Sequence, residues 1–291
     1  MQIFVEFKKM VKSFTIKISW LFNWCLKEVT SISRPKLSRL TRISVLMHVM
    51  VSSMSTVVFA DTPDDKMIPI GKLLFDRTEV SIADFSNYVK ATRIVTSAEK
   101  NGGGLVYESG WERKPGWNWK TPFGEVTDSR LPAVHINFDE AAAYCRWAGK
   151  RLPTDIEWQN AAYTESRLQT AAPFERGKTY TYPTGMTPRG ANCLNDCGKT
   201  TAFDFTAKLS RGIGPAPVAT SAVGVNGLYD MGANVWEWTD IDNFISKGTR
   251  GGSWWYGKTQ MSREHRATKP RDMTVVYIGF RCVRDTKSGD K

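Results

Sequence analysis

The chain contains few of the residues from which common catalytic sites are built. Its 291 residues include three histidines and five cysteines. It has no Gly-x-Ser-x-Gly turn of the hydrolases, no His-Glu-x-x-His helix of the zinc proteases and no glycine-rich phosphate loop. Internal repeats and low-complexity segments are also absent from the sequence. These absences leave the common hydrolase and nucleotide chemistries without support.

Positive charge is abundant, but it is concentrated at one end of the chain. Residues 1–60 hold nine Lys and Arg against two Glu, so they carry +7 of the formal net charge of +11. The other 231 residues contain 31 basic and 27 acidic side chains, which is an ordinary surface balance. Because no basic stripe follows from these residues, we expect no nucleic-acid partner.

The basic start leads into an apolar run over residues 43–60 that ends at Ala60. A basic segment, an apolar stretch and a small final residue are typical of a secretory signal, which predicts cleavage after Ala60 and a periplasmic or secreted protein. An uncleaved membrane anchor is the alternative, although 18 residues that include His48 are marginal for ~30 Å of hydrocarbon. We therefore expect an N-terminal extension over residues 1–60 and a single domain over residues 61–291.

An exported chain favours disulfides, because they persist in oxidising compartments. Four cysteines follow the predicted signal, and they allow three pairings: Cys145, Cys193, Cys197 and Cys282. A zinc site on Cys193 and Cys197 would need two further ligands, and the neighbouring sequence supplies none. The residues alone predict two disulfides and leave their pairing open.

Regular structure is predicted over only a small part of the domain. Three helix starts share a capping pattern, with a side-chain acceptor three residues before an acid: Ser81 with Asp84, Asn137 with Glu140, and Thr154 with Glu157. Alternating or apolar runs predict strands at 131–136, 235–238, 252–255 and 275–283. Residues 101–130 and 163–226 have neither period and are predicted to be loops. Aromatic residues, which make up 12% of the chain, would have to hold these loops in place.

Five short runs of the domain are similar to one known family. They read Ala-Tyr-Cys-Arg-Trp at 143–147, Leu-Pro-Thr-Asp-Ile-Glu-Trp at 152–158, Gly-Leu-Tyr-Asp-Met-Gly-Ala-Asn-Val-Trp-Glu-Trp at 227–238, Arg-Gly-Gly-Ser-Trp-Trp at 250–255 and Gly-Phe-Arg-Cys at 279–282. In these runs the chain resembles the formylglycine-generating enzyme (sulfatase-modifying factor) family. The resemblance implies an α+β fold of the C-type-lectin-like kind, a single loop-rich domain. It also implies disulfides Cys145–Cys282 and Cys193–Cys197.

The resemblance further implies calcium as a cofactor, a hard cation that takes oxygen ligands from side chains and carbonyls. The first implied site has side-chain ligands Asp230 and Glu237 and carbonyl ligands Ala233 and Val235. The second, less closely matched, has Asn192, the Cys193 carbonyl and Asp204, with Asp196 as a rival to Asp204.

The resemblance fails at the two active-site cysteines that the oxidase members carry after the Arg-Gly-Gly-Ser turn. Tyr256 and Met261 stand at those positions. Because Cu(I) selects soft sulfur ligands, a phenol and one neutral thioether do not replace two thiolates, and we do not expect copper. The surrounding pocket is implied to persist, which gives Trp236, Ser253, Tyr256 and Met261 as candidate site residues. His265 could join Met261 as a ligand only on a helix, and no helical period supports one.

Two functions fit this pattern. The first is an exported maturation, modifying or accessory factor that acts on a peptide-like or protein substrate, as the resemblance implies for members without the cysteine pair. The alternative is a non-catalytic C-type-lectin-like module that binds protein or glycan. The sequence leaves open whether the chain is an enzyme, and membrane contact is expected only through an uncleaved signal.

Overall fold

The computed structural model describes residues 66–286 of the chain. The predicted extension over residues 1–60, its apolar run and the predicted cleavage site lie outside the described residues. The described part is a mixed α+β fold in which short elements are joined by long loops, as the sequence predicted. Within it, the helices are too short and too polar to cross a bilayer.

Within residues 66–286, four short α-helices begin with the same hydrogen-bonded cap. They are α1 (Ile82–Thr92), α2 (Ser97–Lys100), α3 (Phe138–Trp147) and α4 (Asp155–Tyr163). At each start a Ser, Thr or Asn side chain accepts from the N3 amide while the N3 acid returns to the cap amide, which satisfies two otherwise free donors. The three predicted caps are confirmed, and Thr96 with Glu99 is a fourth that was not predicted.

In the described part of the chain, nine short strands form three small sheets. In chain order they are β1 (Met67–Ile70), β2 (Leu73–Asp76), β3 (Gly103–Tyr107), β4 (Trp111–Pro115), β5 (Trp236–Thr239), β6 (Ser246–Arg250), β7 (Ala267–Pro270), β8 (Ile278–Gly279) and β9 (Val283–Asp285). One sheet has the order β1-β2-β9, the second is the hairpin β3-β4, and the third has the order β7-β6-β5-β8. Only β5 and β8 pair in parallel; the other pairs within these sheets are antiparallel.

Three predictions of regular structure were wrong. Residues 131–136 are not a strand, because the segment makes a single bridge at Pro132 and turns at His135, whose φ is 58°. Residues 101–130 are not all loop, since β3 and β4 lie there. Residues 252–255 form a turn after β6, because Gly251 and Gly252 adopt φ values of 91° and 75°, which end the extended strand.

Buried aromatic side chains hold the loops together. The main core cluster contains six tryptophans beside aliphatic residues from α1, α3 and the third sheet. These are Trp117, Trp119, Trp236, Trp238, Trp254 and Trp255. The predicted disulfide pairing is confirmed. Cys145 on α3 is joined to Cys282, which precedes β9, and Cys193 is joined to Cys197 within one loop.

Candidate functional site

The candidate site lies where β5 begins beside β8. The Trp236 amide donates to the Tyr277 carbonyl (2.9 Å), which places the two aromatic residues on neighbouring chain segments. The Trp236 ring lies 5.7 Å from the Tyr256 ring and 5.7 Å from the His265 ring, and Tyr256 lies 5.7 Å from Tyr277. We call Trp236, Tyr256, His265 and Tyr277 the aromatic site.

One buried polar atom of the aromatic site has no partner. The Trp236 indole is 1% exposed, and its Nε1 donates to no acceptor within the described part of the chain. A buried N–H without an acceptor costs about 1–3 kcal/mol. Tyr277 is equally buried at 1% exposed, whereas Tyr256 and His265 are half-buried.

The surroundings of His265 at the aromatic site favour its neutral form. Burial lowers the pKa of its imidazole, and the nearby cations Arg250 and Lys269 lower that pKa further. A neutral imidazole keeps one nitrogen that can accept a proton or a hydrogen bond. Sequence reasoning gave His265 little weight because no helix was expected there; the contact with Trp236 comes from the loop that follows a short 3₁₀ turn (Lys258–Met261).

The structure places Ser253 in the tight turn that presents Tyr256. Its hydroxyl accepts from the Trp255 amide (3.3 Å), and its carbonyl accepts from the Tyr256 amide (2.9 Å). Ser253 is 1% exposed. Its observed contacts therefore order the turn between β6 and the aromatic site.

Met261 packs in a different cluster from Trp236. It is fully buried with Ala191, Cys197 and Ala233, and its sulfur lies 3.8 Å from the Cys197 sulfur. Its carbonyl accepts from the Tyr163 hydroxyl (3.1 Å). Of the two residues at the expected thiol positions, the structure brings Tyr256 to the aromatic site and places Met261 against a disulfide.

Every cysteine among residues 66–286 is in a disulfide. The Cα–Cα distances are 5.6 Å for Cys145–Cys282 and 5.7 Å for Cys193–Cys197. The described part of the chain therefore offers no thiolate to a copper ion.

The carboxylates of the first predicted calcium site already have protein partners. Both oxygens of Glu237 pair with the Arg281 guanidinium (2.7 Å each), and one also accepts from the Trp158 indole (2.7 Å). Asp230 accepts from the Ala219 amide (2.7 Å) and from a serine hydroxyl. Glu237 and Arg281 are both fully buried.

A third buried carboxylate, Glu79, lies beside this pair and was not predicted. It accepts from the Asn234 side-chain amide (2.6 Å) and the Val235 backbone amide (3.1 Å). Burial raises the pKa of Glu79 well above its usual range, and the charges of Asp230 and Glu237 raise it further. Burial also raises the pKa of Asp230. Glu79 lies just before the α1 cap in the sequence, and nothing there indicated its contact with Asn234, which is 155 residues further along the chain.

The second predicted calcium site is split between the interior and the surface. Buried Asn192 accepts from the Thr200 hydroxyl (2.7 Å) and donates to the Asn234 side chain (3.0 Å), which links it to the first site. Asp204 is exposed and accepts from the Thr206 hydroxyl (2.6 Å), while Asp196 pairs with a lysine. Throughout residues 66–286, no group of three or more His, Cys, Asp or Glu is arranged to hold a metal ion.

The first site suits calcium in the charge and the type of its donor atoms. Glu79, Asp230 and Glu237 bring three buried carboxylates against the single guanidinium of Arg281. Oxygen donors with an excess of negative charge suit calcium, whereas Glu237 is already committed to Arg281. Calcium stays a prediction, and at this site it would have to share Asp230 with the Ala219 amide and a serine hydroxyl.

Known proteins resemble the chain over most of its length. A formylglycine-generating enzyme of Thermomonospora curvata is 31% identical over 267 residues, which cover 76% of this chain and 84% of the relative. An inactive Cα-formylglycine-generating enzyme 2 of Mus musculus is 28% identical over 248 residues, which cover 74% and 76%. The relatives thus include a protein named for the activity and one named as lacking it.

A solved structure supports the fold. PvdO from Pseudomonas aeruginosa superimposes with a TM-score of 0.52 and 20% identity, over 73% of this chain and 80% of PvdO. A family model described as "Sulfatase-modifying factor enzyme 1-like domain" matches residues 50–286. The chain therefore belongs to the formylglycine-generating enzyme (sulfatase-modifying factor) family.

Proposed function

We propose that this protein is an exported maturation or accessory factor that binds a peptide-like segment of its substrate at the aromatic site and does not use a copper–thiolate centre. The observation that carries the proposal is the pairing of every described cysteine in a disulfide while Tyr256 occupies one expected thiol position beside Trp236. The family scaffold is kept, whereas the sulfur ligands that Cu(I) selects are replaced.

The aromatic site has the groups that a peptide needs. The unpartnered Nε1 of Trp236 would donate to a substrate carbonyl, which removes the cost of a buried free donor. The half-buried rings of Tyr256 and His265 offer apolar area next to a hydroxyl and an imidazole. An extended peptide presents carbonyls and side chains at alternating positions and so suits both features.

Two further parts of the proposal concern the environment of the protein. We place it in the periplasm or outside the cell, and the two disulfides support an oxidising compartment. The mature protein should begin at Asp61, which N-terminal sequencing of exported material tests. We also propose one calcium ion near Asp230, and elemental analysis of protein purified without chelator tests that independently.

A selection from a randomised decapeptide library tests peptide binding. Peptides enriched on the wild-type protein should bind Trp236→Phe about tenfold more weakly, since one hydrogen bond from a buried donor is lost. Trp147→Phe is the matched control, because Trp147 is half exposed on α3 and lies outside the aromatic site.

Three results would count against the proposal. Enriched peptides could bind Trp236→Phe as well as they bind the wild type, which would place their site elsewhere. No peptide could be enriched, which would remove the peptide-like substrate. An oligosaccharide panel could bind in place of peptides, with the same dependence on Trp236, which would favour the glycan-binding module.

A further inference from the structure

A cavity of about 450 Å³ opens beside the aromatic site. Two loop segments, 192–200 and 206–213, form it together with Trp254. The Leu194 amide at its edge donates to the Tyr256 carbonyl (2.9 Å), so the cavity and the aromatic site share a chain contact. Its walls combine apolar side chains with hydroxyls: Leu209, Ile213, Trp254, Thr200, Thr206 and Ser210.

Arg211 is the charged residue among those that line the cavity. Its guanidinium carbon lies 5.1 Å from the Trp255 ring centre and 5.4 Å from the Tyr256 ring centre. Stacking of this kind covers a guanidinium face and leaves its N–H edge available. Arg211 is exposed, and it forms neither an ion pair nor a side-chain hydrogen bond with any residue in the range 66–286.

The acids on or next to these loops have other partners. Asp196 pairs with Lys258 (3.2 Å). Glu108 accepts from the Ser210 amide (3.2 Å), and Asp204 accepts from the Thr206 amide and hydroxyl (2.9 and 2.6 Å). The guanidinium edge is therefore not matched by a carboxylate of the described chain. This differs from Arg151, Arg250 and Arg281, which each pair with an acid.

We infer that this cavity is a binding subsite for a carboxylate-bearing group of the substrate and that Arg211 determines its specificity. A carboxylate is planar and accepts two parallel N–H bonds from a guanidinium edge, which a neutral amide does not match in charge. The apolar walls would hold the carbon skeleton that carries the carboxylate. The inference rests on the proposed function in one respect, namely that the rest of the same substrate lies at the aromatic site.

Matched fragments test the subsite without knowledge of the substrate. Phenylacetate and phenylacetamide are titrated into the full domain while the indole N–H signals of Trp254 and Trp255 are followed by NMR. Phenylacetate should shift these signals with a Kd about tenfold lower than that of phenylacetamide, because only its carboxylate carries a negative charge opposite the guanidinium. Arg211→Gln should abolish the difference, and Arg211→Lys should keep part of it. Arg176→Gln removes an exposed arginine elsewhere and should behave as the wild type.

The inference is overturned if the two fragments bind equally, if neither perturbs Trp254 or Trp255, or if Arg211→Gln keeps the preference for phenylacetate. Its failure is separable from that of the proposed function. Library peptides that still depend on Trp236 would leave the proposed function in place and remove only the subsite. If peptide binding no longer depended on Trp236 while phenylacetate binding still required Arg211, the subsite would stand and the proposed function would fail.

Discussion

At the scale of single residues, the buried pair of Glu237 and Arg281 joins the candidate site to the first sheet. Arg281 also donates to the carbonyls of Asp76 (3.1 Å) and Tyr229 (2.8 Å), so each of its three nitrogens makes at least one hydrogen bond. A buried pair of this kind contributes little net stability when intact, but the loss of one partner strands a charge in the interior.

Glu237→Gln should lower the free energy of unfolding by about 3–5 kcal/mol, since Arg281 loses the carboxylate with which it forms its ion pair. Urea denaturation followed by tryptophan fluorescence measures the change. Glu175→Gln is the control, because Glu175 pairs with Lys178 (2.7 Å) at the surface, where such a pair contributes about 0–1 kcal/mol. Equal stability of the two variants would contradict the role given to the buried pair.

His135 is a second residue whose burial has a measurable consequence. It is fully buried, its Nε2 lies 3.0 Å from the Pro122 carbonyl, and burial lowers its pKa to about 4. The unfolded chain, with a histidine pKa near 6.5, takes up the proton first. The stability that neutral His135 contributes is therefore present above pH 6.5 and is lost as the pH falls towards 4.

The wild type should thus lose stability between pH 6.5 and pH 4 by up to about 1.4 kcal/mol per pH unit from this group. His135→Asn removes the titrating group and tolerates the φ of 58°. Subtracting the variant's pH profile from the wild-type profile cancels the contribution of the carboxylates to the free energy of unfolding. Glu79 is one of them, and because its pKa is raised, its contribution falls as the pH rises, opposite to that of His135. Parallel profiles for the two proteins would exclude this effect of His135.

At the scale of elements, the helices were predictable and the strands largely were not. A capping box lies within four consecutive residues, so the sequence shows it directly, as at Thr154 and Glu157. The strands are two to five residues long and pair across great distances in the chain, for example Phe75 with Val283. The hairpin β3-β4 was missed because β4 is solvent-accessible along its length and has no apolar face to reveal a period of two.

Ser81→Ala should destabilise the protein by about 1 kcal/mol, because the Asp84 amide at the start of α1 loses its acceptor (3.1 Å). Thermal denaturation of the purified variant measures the loss. Ser109→Ala is the matched control, since Ser109 is exposed in the β3-β4 turn and should change little. A Ser81→Ala variant as stable as the Ser109→Ala variant would mean that the cap does not hold α1.

At the scale of the whole molecule, two disulfides of very different span close a fold with little regular structure. Cys145–Cys282 encloses a separation of 137 residues, and Cys193–Cys197 a separation of four. The residues alone left three pairings open, and the family resemblance selected the pairing that the structure has.

Removal of the long-range disulfide by Cys145→Ala with Cys282→Ala should cost about 5 kcal/mol in the chain-entropy model, against about 2 kcal/mol for Cys193→Ala with Cys197→Ala. The two double variants are compared by urea denaturation under the same conditions. A larger loss from the short-range disulfide than from the long-range one would show that chain entropy does not govern their contributions.

At the candidate site too, the family resemblance predicted some residues and the local sequence pattern missed others. Trp236 and Tyr256 were placed in advance by the family motifs, and the structure brings them together. Arg211 and Glu79 were not, because their contacts are made by loops whose positions depend on distant segments. Tertiary contacts of that kind leave no period or spacing in the sequence.

The central proposal is that this protein does not use a copper–thiolate centre. The most direct test incubates a cysteine-containing sulfatase peptide with the purified protein, copper, oxygen and a two-electron reductant. The Thermomonospora curvata formylglycine-generating enzyme is the positive control, and peptide aldehyde is measured by mass spectrometry. The account predicts aldehyde from the control and none from this protein. Aldehyde formation by this protein at a rate comparable to that of the control would contradict it.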